Sequence, residues 1–360
     1  MMKQALKYEP DYVVAPGATL KELLDEKGIS QAALAIRAGL TEKHVSQIIN
    51  GVAPITYETA EKLELVLGTP ARFWNQRELA FREGHARISA IERMKHDFAW
   101  LNEVPVDVLK SRGYVAAEDD GDASLVRVVL KFFGVSSVDA WRETWGNPAA
   151  QYRGGKAKEK RPGYVAAWLR IGDLQAESLD TAPFNADEFR RALLEVRSMT
   201  TLTADRWVKE MPARCAAAGV AVVFTREIPS AAVSGAARWI TKDKALIQLS
   251  LKFKSADQVW FTFFHEAGHI LLHGKKQVFV EYGLNDETEE EREANQFARE
   301  YLIPPSHAGR LPYLKNRNQI NSFAQAIGIA PGIVVGRLQK DALVFPSAFN
   351  DLKRKLSWDE

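Results

Sequence analysis

Two histidines four residues apart in an otherwise apolar helix constrain this 360-residue chain more than any other feature. They stand in Trp260–Gly274, WFTFFHEAGHILLHG. Residues i and i+4 share one helix face, so the imidazoles of His265 and His269 point at a common place, as two ligands of one metal ion do. Glu266 follows the first histidine and is set to take a proton from a water at such an ion rather than to bind the ion itself. Thiolate ligands are excluded because the chain has one cysteine, Cys215. That count also excludes a disulfide framework and a Cys-rich zinc finger. Within MPARCAAAGV, Cys215 reads as a buried structural thiol.

A catalytic zinc takes three protein ligands and keeps one position open for water. The metzincin pattern would place a third histidine at 275, where this chain has Lys275. A carboxylate from a later helix remains, and Glu289–Arg299 (EEEREANQFAR) supplies several. That helix is expected to bury Ala294, Phe297, Ala298, Tyr301 and Leu302, with Glu290 and Glu293 at the edge of the buried face and Glu289 turned to water. Glu293 is the expected third ligand of Zn2+, with Glu290 as the alternative. Tyr282, Tyr301 and His273 are candidates to stabilise an oxyanion.

Ahead of the histidine helix, Asn185 caps a helix, and Val220–Arg226, Ala231–Ile240 and Ala245–Lys252 read as strands, broken by Pro229, Gly235 and the Lys242–Lys244 turn. A helix, three strands, then helices on one side predict an α+β domain rather than a wound α/β sheet. Ala245–Leu251 is the expected edge that would take a substrate backbone as an added strand.

The first 84 residues are punctuated differently. Thr19–Lys27, Gln31–Ala38, Glu42–Asn50 and Thr56–Leu67 are short amphipathic segments, with Gly28 and Gly39 as stops and Ser30, Thr41 and Thr56 as N-caps. Gly39-Leu40 is the short link a helix-turn-helix needs, and Ala35 lets the two helices approach. Val45 and Ile48 face inward. Glu42, Lys43, Ser46 and Gln47 face outward and suit base edges and phosphates in a major groove.

Charge qualifies this reading. The whole chain has 48 Lys/Arg against 46 Asp/Glu, and residues 1–84 have 10 against 11. Non-specific attraction to phosphate is therefore weak. Tight binding would need two copies on a palindrome, so a homodimer is expected.

Residues 85–184 read as a helical, Trp-rich interdomain region whose Trp100, Phe132, Phe133, Trp141, Trp145 and Trp168 are core, with an exposed basic stretch at Arg153–Arg161. The tail Asn321–Lys340 repeats the helix-turn-helix spacing. It offers Ala330, Pro331, Gly332 and Ile333 where the first unit has Thr41, Glu42, Lys43 and His44. Those side chains cannot read bases, so a hairpin packed on the zinc domain is expected. The start, MMKQALKYEP, lacks a secretion signal, no apolar run is long enough for a membrane helix, and no Gly-rich phosphate loop occurs. A cytoplasmic protein without membrane partner or nucleotide cofactor is expected.

Two resemblances sharpen these expectations. PGATLKELLDEKGISQAALAIRAGLTEKHVSQIINGVAPITYETAEKLELVLGTPARFW resembles the Xre/HigA-type helix-turn-helix of bacterial repressors and antitoxins. The resemblance implies that Gln31 packs against DNA phosphate and that the Thr41–Gln47 helix reads bases. HEAGHILLH followed by EREANQFAREYLIP resembles the ImmA/IrrE family of gluzincin-like metalloproteases, roughly from Phe184 to Phe345. That resemblance implies zinc on the histidine pair and on the glutamate preceding Ala-Asn, which is Glu293, and cleavage of a transcriptional repressor.

The expected chain is multidomain: an all-α helix-turn-helix domain at 1–84, a helical middle region at 85–184 and an α+β zinc peptidase domain at 185–360. It would be a DNA-binding transcriptional regulator that recognises a double-stranded operator and cleaves a repressor or partner protein. The alternative is a HigA-type antitoxin and autorepressor whose zinc domain binds a toxin or senses a signal without proteolysis.

Overall fold

The computed structural model describes residues 12–116, 122–146, 161–252, 254–275, 278–281 and 288–358. Tyr282 and nearly all of the basic stretch at 153–161 lie outside them. Among the described residues, those up to 98 together with 122–127 form one compact unit, and 99–116 with 128–358 form a second.

The first unit is built on α1 (Pro16–Lys27), α2 (Gln31–Ala38), α3 (Glu42–Ile49), α4 (Tyr57–Leu67) and the long α5 (Ala71–His96). Each of α2, α3 and α4 is capped as its sequence requires: Ser30, Thr41 and Thr56 accept the amides of Ala33, His44 and Thr59. Such caps contribute about 1 kcal/mol each. Gly28, Gly39 and Gly68 close α1, α2 and α4 in the left-handed conformation that glycine adopts without steric cost. The first helix begins at Pro16 rather than Thr19, because proline fits the first turn, where no amide donor is needed. A Cβ on Gly17 would lie 2.0 Å from the Ile48 carbonyl oxygen, so α1 presses directly on the end of α3. The core joins Leu20, Leu34, Ala35, Val45, Ile48, Leu63 and Trp74.

The second unit takes in α6 (Val106–Ser111), the end of α7 (Asp122–Phe133), α8 (Val138–Thr144) and α9 (Pro162–Glu177). Then come α10 (Ala186–Ser198), α11 (Ala204–Ala216), β1 (Val220–Phe224), β2 (Gly235–Thr241), β3 (Lys244–Leu249), α12 (Ala256–Leu272) and β4 (Phe279–Glu281). The order ends with α13 (Glu289–Leu302), α14 (Pro305–Ala308), α15 (Arg317–Ile327) and α16 (Pro331–Lys340).

The sheet runs β1-β3-β2-β4, with β1 parallel to β3 and the other pairs antiparallel. This corrects the expected edge: β3 lies inside the sheet, hydrogen-bonded on both sides, and offers no free backbone to an added strand. The short β4 escaped the sequence reading.

Helices cover both faces of the sheet, not one. Val220, Val222, Ala245 and Ile247 face the large core that contains α12, whereas Ala221, Val223 and Leu246 pack with Ala176 of α9. Two-sided burial explains why VAVV and ALI show no polar alternation. A buried polar network ties α9 down. Gln248 of β3 donates to the Trp168 carbonyl and to Thr225, and accepts from Arg238, which is paired with Asp173 at 2.7 Å. A Cβ on Gly172 would sit 2.1 Å from Gln248 Oε1, so α9 lies flush on the strand.

The aromatic residues of the middle region are largely core. Trp100, Phe133 and Trp141 form a cluster of tilted and edge-to-face rings with centroids 5.2 to 6.3 Å apart, and Trp168 is fully buried. The tail hairpin α15–α16 buries Phe323, Ala324, Val334 and Val335 in the same core as the histidine helix, as its apolar turn suggested. No described helix is long and apolar enough to cross a membrane.

Candidate functional site

The histidine helix α12 is buried along nearly its whole length, which holds its side chains in fixed positions. His265 Nε2 and His269 Nε2 lie 3.0 Å apart. The carboxylate that meets them is Glu291, not Glu293: its oxygens lie 3.2 Å from His265 Nε2 and 3.3 Å from His269 Nε2. These three residues form the only buried cluster of metal-binding type among the described residues.

Glu291 reaches the histidines because α13 approaches α12 closely. Gly268 faces Ala294, where an added Cβ would already be 3.2 Å from the Ala294 Cα. Glu291, Ala294, Ala298 and Leu302 form the buried stripe of α13. Thr288 caps the helix by accepting the Glu291 amide, and its positive end favours a carboxylate in the first turn. Glu293 lies outside the stripe with its side chain 51% exposed, and accepts from His273 Nε2 at 3.0 Å. Glu290 is half-buried beside it.

Electrostatics prepare this cluster for a cation. Burial pushes His269 down to about 4, so its ring is neutral at pH 7. Burial also works to raise the Glu291 carboxyl, but the two imidazoles beside it outweigh that and hold it at about 2. Two imidazoles and one ionised carboxylate are a donor set suited to zinc. A tetrahedral ion about 2.0–2.1 Å from each donor needs donors roughly 3.3 Å apart, and the three separations here nearly meet that spacing without rearrangement.

Glu266 is fully buried next to His265. The first residue of β2 fixes its place, since a Cβ on Gly235 would stand 2.7 Å from Glu266 Oε1 and 2.4 Å from the Thr262 methyl. Phe279 of β4 stacks on the His269 ring at 3.9 Å with the planes 12° apart. Lys275 lies over the Trp239 ring at 4.3 Å. The Tyr301 ring packs with Phe264 and Phe297, and burial raises its phenol. His273 turns one ring nitrogen to His269 and the other to Glu293. Cys215 is fully buried and its thiol is pushed up to about 12, as an inert structural thiol should be.

In the first unit, Gln31, Thr41, Glu42 and Lys43 are exposed and Ser46 and Gln47 are partly so, while Val45 and Ile48 are buried. The outward face of α3 is thus the polar one. Two of its members have local duties: the Thr41 hydroxyl caps α3, and the Ser46 carbonyl accepts from Asn50 Nδ2 at 2.8 Å.

Comparisons with known proteins match one segment of each unit. A helix-turn-helix family model matches residues 20–74. A peptidase-family model described as an IrrE N-terminal-like domain matches residues 215–330. Curated proteins yield no match. Among solved structures, an addiction module antidote protein of the HigA family from Coxiella burnetii is 27% identical, over 23% of this chain and 91% of that one, with a TM-score of 0.21. The chain thus carries a helix-turn-helix of the Xre type over residues 20–74 and a metallopeptidase-type domain of the IrrE kind over residues 215–330.

Proposed function

We propose that this chain is a sequence-specific DNA-binding regulator with a zinc endopeptidase domain that cleaves a repressor or partner protein. The observation that carries the peptidase reading is the convergence of His265, His269 and Glu291 on one point, with the buried Glu266 beside them. His265, His269 and Glu291 would hold the zinc. The ion would supply Lewis acidity, polarising a peptide carbonyl and making water acidic enough to react near pH 7. Glu266, carrying a carboxylate next to a ligand, would accept the water proton and pass it to the departing amine. A purely structural site has no use for such a base.

On the DNA side, the exposed Glu42 and Lys43 and the partly exposed Ser46 and Gln47 of α3 would enter the major groove, with Gln31 and Thr41 against the backbone. With no net positive charge in this region, two copies on a palindromic operator would supply the affinity.

The test of the peptidase compares zinc-loaded wild type with Glu266→Gln on the soluble proteins of the host cell. Fragments made only by the wild type, with derepression that follows them, support cleavage. Identical fragments and identical derepression remove the enzyme reading and leave a zinc domain that binds a toxin or another protein without cutting it.

A further inference from the structure

His269 has two ring nitrogens, and only one can face a metal. Nε2 points at His265 and Glu291, and Nδ1 lies 3.0 Å from Nδ1 of His273. The other nitrogen of His273, Nε2, lies 3.0 Å from Glu293 Oε2. Glu293, His273 and His269 therefore form an unbroken line of polar contacts from the surface to the metal cluster. The line is held in register by a backbone hydrogen bond from His273 to the His269 carbonyl and by Phe279, whose ring lies 3.9 Å from His269 and 5.2 Å from His273.

The direction of the protons along this line follows from what each group can do. An ionised carboxylate only accepts, so His273 must donate from Nε2. Where the His273 ring carries one N–H, that proton is on Nε2 and its Nδ1 is the acceptor of the 3.0 Å contact with His269. His269 must then donate from Nδ1, which leaves its Nε2 with a bare lone pair. Without this line His269 would prefer the opposite tautomer, donating Nε2–H to Glu291 3.3 Å away, and that proton would stand where a metal ion belongs.

We propose that Glu293 and His273 are positioning residues that lock His269 in the Nδ1–H tautomer and so present its Nε2 lone pair to the metal. The proposal rests on the reading of His265, His269 and Glu291 as a metal site. Outer partners of ligating histidines usually are carboxylates or carbonyls in direct contact. Glu293 lies too far out on α13 for that, with its side chain half exposed, and His273 bridges the gap.

Reversing the polarity at the exposed end tests the line without disturbing the core. In Glu293→Lys the side chain donates, which forces His273 to accept at Nε2 and donate at Nδ1, and His269 to carry its proton on Nε2. The full chain, metal-free and labelled with 15N-histidine, reports the tautomer by long-range 1H–15N correlation, and competition with a chromogenic chelator reports zinc affinity.

The expected result is an Nδ1–H His269 in the wild type, an Nε2–H His269 in Glu293→Lys, and zinc binding weakened about 10- to 100-fold by that substitution. Glu293→Gln, whose amide oxygen still accepts, keeps affinity within about threefold of wild type, and so does Glu289→Lys, which makes the same charge change away from His273. An unchanged tautomer and affinity in Glu293→Lys overturns the proposal, and so does an equal loss in Glu289→Lys. Should the wild type bind no zinc while the tautomer still reverses in Glu293→Lys, the lock stands and the metal reading fails.

Discussion

Gly235 and Glu266 are in such close approach that a methyl group cannot be placed between them: a Cβ on Gly235 would fall 2.7 Å from Glu266 Oε1. Gly235→Ala must therefore push either β2 or the buried carboxylate aside. Overpacking of this kind costs about 1–3 kcal/mol. We expect peptide hydrolysis to fall far more than zinc content, because His265, His269 and Glu291 are not touched by the added methyl. Parallel measurement of bound zinc, thermal stability and cleavage rate checks this, and full activity in the variant would show that Glu266 does not need its present position.

Glu291 and Glu293, side by side on one helix, would take two separate roles. Glu291→Ala removes a donor that lies 3.2 and 3.3 Å from the two histidines, and should abolish stoichiometric zinc after dialysis. Glu293→Ala should retain zinc when the metal is in excess and lose only the roughly 10- to 100-fold of affinity that an outer partner supplies. Elemental analysis of the two purified variants decides the matter. Complete loss in Glu293→Ala with retention in Glu291→Ala would restore Glu293 as the ligand.

Acid should unfold the metal-free chain in two stages. The folded pKa of His269 is depressed to about 4, so between its unfolded value and 4 the unfolded chain binds the extra proton and stability falls with pH. Glu291, held at about 2, adds a second loss as pH drops from about 4.5 toward 2. Both losses have the same sign. Denaturant unfolding at a series of pH values measures them. Zinc should oppose the first stage, since a bound ion excludes the proton.

Replacing Lys43 and Gln47 by alanine should remove sequence-selective binding to duplex DNA while leaving the first unit folded, because both side chains point away from Val45 and Ile48. A well-aligned pairing of a side chain with a base edge discriminates by about 1–3 kcal/mol, and the double substitution forfeits two such pairings. The affinity of the wild type should depend modestly on salt, given the balanced charge of residues 1–84. Binding measured at several salt concentrations, on operator and scrambled duplexes, tests both statements.

Cys215 should be silent toward thiol reagents in the native chain. Its thiol is fully buried and pushed up to about 12, so almost none is thiolate near pH 8. Modification at the rate of global unfolding is expected, and rapid labelling of the folded protein would contradict the burial.

Much of this was legible in the sequence, for identifiable reasons. Caps and left-handed glycines are local devices, so the segments of the first unit could be read almost to the residue, with Pro16 as the one early start. The two histidines share a face by simple helical spacing. The carboxylate that meets the histidines differs from the expected one by phase: at about 100° per residue, Glu291 lies roughly 60° from Ala294 on the side of Ala298, whereas Glu293 lies about 100° away on the other side. Weighing Ala294, Ala298 and Leu302 together would have pointed to Glu291. The position of β3 and the existence of β4 were not legible, because strand order is a long-range property. The second sheet face was signalled only by the unbroken apolar runs of β1 and β3.

The cover that α9 provides has a practical side. A fragment cut at residue 185 would bare Ala221, Val223 and Leu246 to water and strand Gln248 and Arg238 without Trp168 and Asp173. Such a truncation would be sticky and short-lived in solution whatever the state of its histidines. An expression boundary near residue 99 would keep the helix and its partners in one piece, and with them the chance to purify the unit that carries the histidines alone.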